Sequence, residues 1–355
     1  VWVGVKDMLA LFGLLGALFA GVMADSLLAM DEGKFGEDPE GDENTDETSD
    51  VDPDTATVGD LLDDTDGDQS DEAPVDGPQS DDIADVPDEA VRANGDMDDN
   101  LMSGGGGSDT MTGGGGDDQL TAGAGDDDLD GGDGDDRIWG GAGDDTILGG
   151  AGNDEMQGDD GDDVLLGESG DDQLVGHAGD DSLNGGWGLD TLLGGAGDDS
   201  LDGGGDDDWL AGGDGNDVLL GGAGSDTLDG NVGDDWLSGV FPEGDDGDTD
   251  FLNGGDGDDT LVLGANDYAT GGEGADSFVL SQWLGEGGFA TIADYQADDD
   301  QIVVVYDPAV HADPALTLAP VEGTSDVTIL LDGAPVGLVT GGAGMVVADI
   351  TLMAA

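Results

Sequence analysis

The chain has 355 residues, and 88 Asp or Glu against four Lys or Arg give it a formal net charge of −84. Such acidity excludes nucleic acid as a partner, because phosphates are met by basic groups, and it drives a compact fold apart unless cations neutralise it. There is no cysteine, which rules out disulfides and thiolate-held metals, and 72 glycines argue against an ordinary globular core.

Residues 1–30 form a hydrophobic N-terminal segment. Met8 to Ala24 is an unbroken run of apolar or Gly residues, at the lower limit for spanning a bilayer. It also suits the hydrophobic region of a secretory signal, with small residues at its end as a cleavage site requires. Signal peptide and uncleaved membrane anchor are both open readings, and membrane contact is expected only through residues 8–24. A buried soluble helix fits less well, since the segment is apolar on every face.

Residues 31–93 read as a disordered acidic linker. From Asp31 to Asn100 there are 28 acidic residues and two basic ones, with Pro and Gly scattered throughout. No apolar period of 2 or 3.6 survives there, so the segment is expected to be solvated, self-repelling and extended.

From Gly104 to Ser238 the chain divides into fifteen consecutive nonapeptides. Position six is always Asp: Asp109, Asp118, Asp127, Asp136, Asp145, Asp154, Asp163, Asp172, Asp181, Asp190, Asp199, Asp208, Asp217, Asp226 and Asp235. Position eight is always Leu, Ile or Met. Position one is Gly except at Ala122, position four is Gly except at Asp206, and position five is Asp, Asn or Ser except at Leu189. Positions one to six read as a turn, with Gly supplying backbone angles that side chains forbid. Positions seven to nine read as a short strand whose middle residue faces inward and whose neighbours face outward.

This GGxGxDxUx pattern resembles the RTX, or haemolysin-type, calcium-binding repeat. The resemblance implies an all-β fold, a calcium-stabilised parallel β-roll over residues 94–279 with two nonapeptides per turn. Met111, Leu129, Ile147, Leu165, Leu183, Leu201, Leu219 and Leu237 would then line one wall. Leu120, Ile138, Met156, Leu174, Leu192, Leu210 and Leu228 would line the other. It also implies that multiple calcium ions are held by the position-six carboxylates, with Gly carbonyls at positions two and four and position-five oxygens in support. Asp259 and Asp276, in later repeats, join that ligand set.

Physical chemistry favours the same ion. One apolar side chain per nine residues is a thin core, so metal must supply part of the stability. Calcium accepts six to eight oxygens in irregular geometry, whereas zinc would want His or Cys, and the chain has two His. Sites shared between turns form only as the roll forms, which couples binding to folding.

Some repeats depart from the pattern. Asp159 and Asp160, Glu168 and His177 place side chains where Gly is usual, and Asp206 and Leu189 break positions four and five. Weaker sites are expected near Asp163, Asp172, Asp181, Asp190 and Asp208. After an insertion at Gly239–Gly244 comes a degenerate repeat with Asp250 and Leu252, then a regular one at Gly254–Val262. An eight-residue irregularity precedes the closing repeat, Gly271–Val279. Upstream, Asn94 to Met102 reads as a decayed repeat capping the other end.

Residues 280–355 read as a small β cap with strands at Gln301–Tyr306, Val327–Leu331, Pro335–Val339 and Met345–Leu352. By the same resemblance this region would carry a type I secretion signal. The sequence has no His-Glu-x-x-His helix, no Gly-x-Ser-x-Gly elbow and no cysteine nucleophile, so no enzyme activity is expected. The leading reading is a secreted or surface-tethered calcium-binding structural protein. A second reading is a calcium-dependent adhesin that holds cell-surface, matrix or carbohydrate partners through the faces of the roll. Trp139, Trp209 and Trp236 sit at outward positions, but in repeats that do not align them in one stripe.

Overall fold

The computed structural model describes residues 90–240, 247–280 and 288–355. The hydrophobic segment and the acidic stretch up to residue 89 lie outside the described residues. Among those described, 27 strands follow one another in chain order from β1 (Arg92–Asn94) to β27 (Ile350–Ala354), and one short 3-10 turn is present. No helix among them is long and apolar enough to cross a membrane.

Through residue 306 consecutive strands alternate between two sheets, odd-numbered ones from β1 in one and even-numbered ones from β2 (Leu101–Gly106) in the other. Of the last four strands, one completes the first sheet at 13 strands and three complete the second at 14. Each repeat pairs in parallel with the one 18 residues away: Met111 lies opposite Leu129, and Leu120 opposite Ile138. The fold is a parallel β-solenoid of about ten turns, and both predicted walls are in place. The position-eight side chains from Met111 to Leu237 are essentially fully buried.

The strands are longer than the sequence suggested. β3 (Thr110–Gly115) covers positions seven to nine of one nonapeptide and one to three of the next, leaving only three residues as turn. Pairing lapses at position one and resumes at positions two and three, as Gly114 opposite Gly132 and Gly115 opposite Asp133. Glycine at positions one and two presents no side chain to the neighbouring turn. Parallel pairing therefore continues past the bend, with Gly114 at φ 109° and Gly132 at φ 108°.

At the N-terminal end the register differs by one from the Asn94–Met102 reading. Met102 is buried at the inward position and Asn100 stands two residues before it, where the repeats have Asp. β1 precedes that repeat, with Ala93 opposite Met111.

Parallel pairing also runs on past residue 280. β22 (Ala290–Ile292) and β26 (Ala334–Val339) extend one sheet, and β23 (Gln301–Tyr306) and β27 the other. Antiparallel strands β25 (Val327–Leu331) and β24 (Leu316–Pro320) finish the 14-stranded sheet. Phe278, Leu280, Ile292, Ile302, Ile329 and Val339 give this end a thicker core. The strand expected from Met345 begins only at Ile350. The Asp349 carboxylate accepts the Val346 N–H at 2.7 Å and closes a 3-10 turn over Val347–Asp349 instead.

Candidate metal centre: two ladders of buried carboxylates

The side chain at position six is drawn inward by the turn that ends at it. Every position-six Asp of the array is buried, with at most 4% exposed. One oxygen of each carboxylate serves the backbone. Asp127 Oδ1 accepts the N–H of Asp109 at 2.6 Å, Asp145 Oδ1 that of Asp127 at 2.8 Å, and Asp163 Oδ1 that of Asp145 at 2.8 Å. Asp136, Asp154 and Asp172 repeat the arrangement along the other ladder, accepting from Asp118, Asp136 and Asp154.

The second oxygen is left over. Oδ2 is buried without a hydrogen-bond partner in each position-six Asp from Asp109 to Asp217, and in Asp235, Asp259 and Asp276. It folds back over the position-one glycine of its own repeat. A Cβ on Gly113 or Gly131 would overlap the Asp118 or Asp136 carboxylate and also meet the position-one carbonyl of the next turn. Buried carboxylates with an unpaired oxygen are costly unless a cation or a proton compensates them.

Titration reflects that cost. Loss of hydration is the largest cause of each upward shift, opposed by the backbone N–H bond and reinforced by nearby carboxylates. It pushes Asp208 up to about 8, and Asp136, Asp145, Asp172, Asp199 and Asp259 to about 7. Asp127, Asp154, Asp163, Asp190, Asp217, Asp235 and Asp276 rise to about 6. Asp109, Asp118 and Asp181 are raised as well.

Among the described residues no three acidic or His side chains converge closely enough to hold an ion by themselves. A metal shell here must therefore recruit backbone carbonyls. The turns present them: the position-four carbonyls of Gly116 and Gly134 lie against the α-carbons of Gly134 and Gly152, one turn on. A hard cation that accepts carboxylate and carbonyl oxygens together fits this donor set, and a thiophilic or imidazole-seeking metal does not.

All the predicted Asp residues fall on the two ladders, and four further side chains extend them. Asn100 precedes Asp118, whose Oδ1 accepts the Asn100 N–H at 2.7 Å. Asp250 accepts from Asp226 at 3.0 Å, Asp267 from Asp250 at 3.2 Å and Asp300 from Asp276 at 3.2 Å. The signal was present, since Asp250, Asp267 and Asp300 each stand two residues before a buried apolar side chain: Leu252, Ala269 and Ile302. Asp250 is legible with Leu252 as a degenerate repeat. Asp267 and Asp300, however, follow residues 262–266 and 295–299, which lack glycine at positions one, two and four. Asp267 also lies 17 residues after Asp250 in place of 18. The eight-residue irregularity is thus a shortened turn of the roll.

The C-terminal ends of both ladders are closed by local bonds. Asp267 Oδ2 accepts the Gly264 N–H at 2.5 Å, and Asp300 Oδ2 accepts the Gln296 N–H at 2.6 Å.

Position five forms a separate, exposed ladder that runs the opposite way. Asp117 Oδ1 accepts the N–H of Asp135 at 3.2 Å, and Asp180 Oδ1 that of Asp198 at 2.9 Å. Its oxygens thus serve the next turn directly, and Leu189 has no oxygen to offer.

The irregular position-two and position-four residues leave the inner ladders intact. Asp163 still donates to Asp181 at 2.9 Å and Asp172 to Asp190 at 2.8 Å. Asp159, Glu168, His177 and Asp206 instead adopt φ between 72° and 82°, the left-handed region that disfavours side chains. His177 sits near Asp159, at 3.8 Å, on the outside.

A parallel β-solenoid with inward carboxylates at every ninth residue defines a class of repeat protein whose turns are built around cations. The family model described as the RTX calcium-binding nonapeptide repeat (4 copies) matches residues 94–129, 121–156, 157–192, 184–219, 211–239 and 245–278. Together these matches cover just over half of the chain, and the chain belongs to this family. No curated protein sequence matches it. Among solved structures it is similar to the extracellular lipase LipA from Serratia marcescens, at 17% identity, over 61% of this chain and 40% of the lipase, with a TM-score of 0.19.

Proposed function

We propose that the roll is a calcium-dependent structural module that folds outside the cell, where the ion is plentiful. The observation that carries this is the row of buried, unpaired Oδ2 atoms in register along both ladders. The ligands would be the carboxylates of Asp109, Asp118, Asp127, Asp136, Asp145, Asp154, Asp163, Asp172, Asp181, Asp190, Asp199, Asp208, Asp217, Asp226, Asp235, Asp259 and Asp276. Glycine carbonyls at positions two and four would complete each shell. Bound calcium would supply positive charge where the protein has only carboxylates, held by residues from turns 18 residues apart. The backbone N–H bonds to Oδ1 fix each carboxylate and leave Oδ2 as the oxygen available to a cation.

We read the chain as non-catalytic, because the position-six carboxylates of the array are engaged in ladders and its two histidines stand apart, His311 paired with Asp332 at 2.6 Å in the cap. Calorimetric titration with calcium, followed in parallel by far-ultraviolet circular dichroism, tests the proposal. β signal and heat should appear together, and a spectrum indifferent to calcium would refute it. Mass analysis of the protein in medium and cell fractions tests the extracellular location, the type I route and the fate of residues 1–24. A second reading, a calcium-dependent adhesin, is favoured by exposed aromatic side chains gathered on one face of the roll.

A further inference from the structure

The outer face of the 14-stranded sheet changes character toward its C-terminal end. Strands β14 (Trp209–Asp214), β16 (Thr227–Val232), β18 (Phe251–Asp256) and β20 (Tyr268–Glu273) lie side by side there. Their first residues are in register, Trp209 beside Thr227, Thr227 beside Phe251, and Phe251 beside Tyr268. The three aromatic side chains are 43%, 50% and 48% exposed in chain order. Phe251 and Tyr268 stack with ring centroids 5.5 Å apart and planes 12° from parallel. Thr227 leaves a gap of two strand spacings, about 9.6 Å, between Trp209 and Phe251.

Two residues along each strand, on the same face, runs a polar column. Thr270 Oγ1 donates to Asn253 Oδ1 at 2.8 Å, and Asn253 Nδ2 donates to Asp229 Oδ1 at 2.8 Å. The two columns border a shallow groove of about 200 Å3. That is smaller than a small-molecule cleft of about 300–1,000 Å3, and it lies on the exposed face of the sheet between the two columns.

We infer that this groove binds a neutral polysaccharide. Pyranose rings have apolar C–H faces that pack on aromatic rings and hydroxyls that exchange hydrogen bonds with carboxylate, amide and hydroxyl groups. Aromatic and polar columns held side by side match both. The carboxylate, amide and hydroxyl are already oriented by their mutual bonds, so little side-chain entropy is lost on binding.

Charge narrows the choice. With a net charge of −84 the surface repels anionic glycans and a second copy of the same chain. A basic peptide would be attracted to the acidic surface everywhere, whereas the aromatic column is confined to this groove. The inference deepens the adhesin reading and rests on it. The sequence concealed the site because the insertion after Ser238 and the shortened turn at residues 263–270 displace Phe251 and Tyr268 from the nonapeptide count. Trp139 lies in the other column, in register with Thr121 and Gln157, and Trp236 lies on the opposite sheet.

The test is affinity electrophoresis of the full chain in calcium, through gels cast with hydroxyethylcellulose, galactomannan or dextran, and with alginate as the anionic comparison. Retardation is expected in at least one neutral gel and not in alginate. It should weaken about tenfold or more in Phe251→Ala/Tyr268→Ala and in Trp209→Ala, and stay unchanged in Trp139→Ala. Phe251→Leu/Tyr268→Leu keeps apolar bulk without rings, and it carries the test if the alanine pair does not fold. No retardation in any neutral gel, or equal retardation of parent and ring-less variants, overturns the inference. So does retardation in alginate alone, or groove-dependent capture of a poly-lysine peptide without retardation in a neutral gel. Calcium-induced dichroism of the same samples separates the two proposals. A parent that folds on calcium but is not retarded fails only this inference, and one that is retarded but folds without calcium fails only the calcium reading.

Discussion

Each position-six aspartate divides its work between two oxygens, and substitutions can separate them. Asp145→Asn retains an acceptor for the Asp127 N–H but removes the charge at Oδ2. It should lower calcium stoichiometry or affinity in calorimetry with little further loss of stability. Asp145→Ala also strands the Asp127 N–H in the interior, at a cost of about 1–3 kcal/mol, which denaturant titration in saturating calcium should register. Protons should substitute for calcium. The folded carboxyls titrate near 6 to 8 against 3.8 for the free side chain, so the metal-free roll binds more protons than the unfolded chain across that interval. Its stability is therefore present at low pH and lost as pH rises through about 6 to 8. In a chelator, the β signal should be stronger at about pH 5 than at about pH 8, the reverse of ordinary acid denaturation. The Asp positions were legible in the sequence from their strict register. The partition of their oxygens was not, because it depends on a backbone N–H one full turn away.

At the scale of the turn, glycine decides how closely neighbours stack. Gly152 has φ 139°, and a Cβ there would overlap the Gly134 carbonyl. Gly152→Ala should therefore raise the calcium concentration needed for folding more than Gly→Ala at the open Gly333. The converse holds where the chain tolerates strain. Glu168 and His177 stand at φ 72° and 82°, at a cost of order 1–3 kcal/mol each. Glu168→Gly and His177→Gly should each shift the calcium midpoint of folding downward. Hydrogen exchange at falling calcium should open Gly158–Leu193 before the ends of the array, because three of the strained residues, Asp159, Glu168 and His177, lie there. The sequence marks these positions as irregular. Only the backbone angles reveal that the cost is strain within the turn, since the inner ladder keeps its spacing beside them.

For the roll as a whole, the C-terminal residues act as the last turns of the same solenoid. Their strands pair in parallel with β20 and β21 (Ser277–Leu280) through β22 and β23. Removing residues 288–355 would expose two sheet edges and the apolar surface around Phe278 and Leu280, and exposed edges recruit other chains. The truncated protein should show broader calcium transitions and concentration-dependent aggregation in light scattering, whereas a truncation that folds as sharply as the full chain would contradict this role.

The nonapeptide register by itself determined the family, the two walls of the core and the identity of the inward carboxylates. A solenoid repeats one local solution, so each period carries the whole pattern. Tertiary structure alone decided what lies beyond the period. Asp250, Asp267 and Asp300 join the ladders because sheet pairing restores the register that two insertions and a deletion disturb in sequence. Phe251 and Tyr268 meet for the same reason. Stacking along the roll depends on which residues are neighbours across turns, and the chain count gives that only while every turn has the same length.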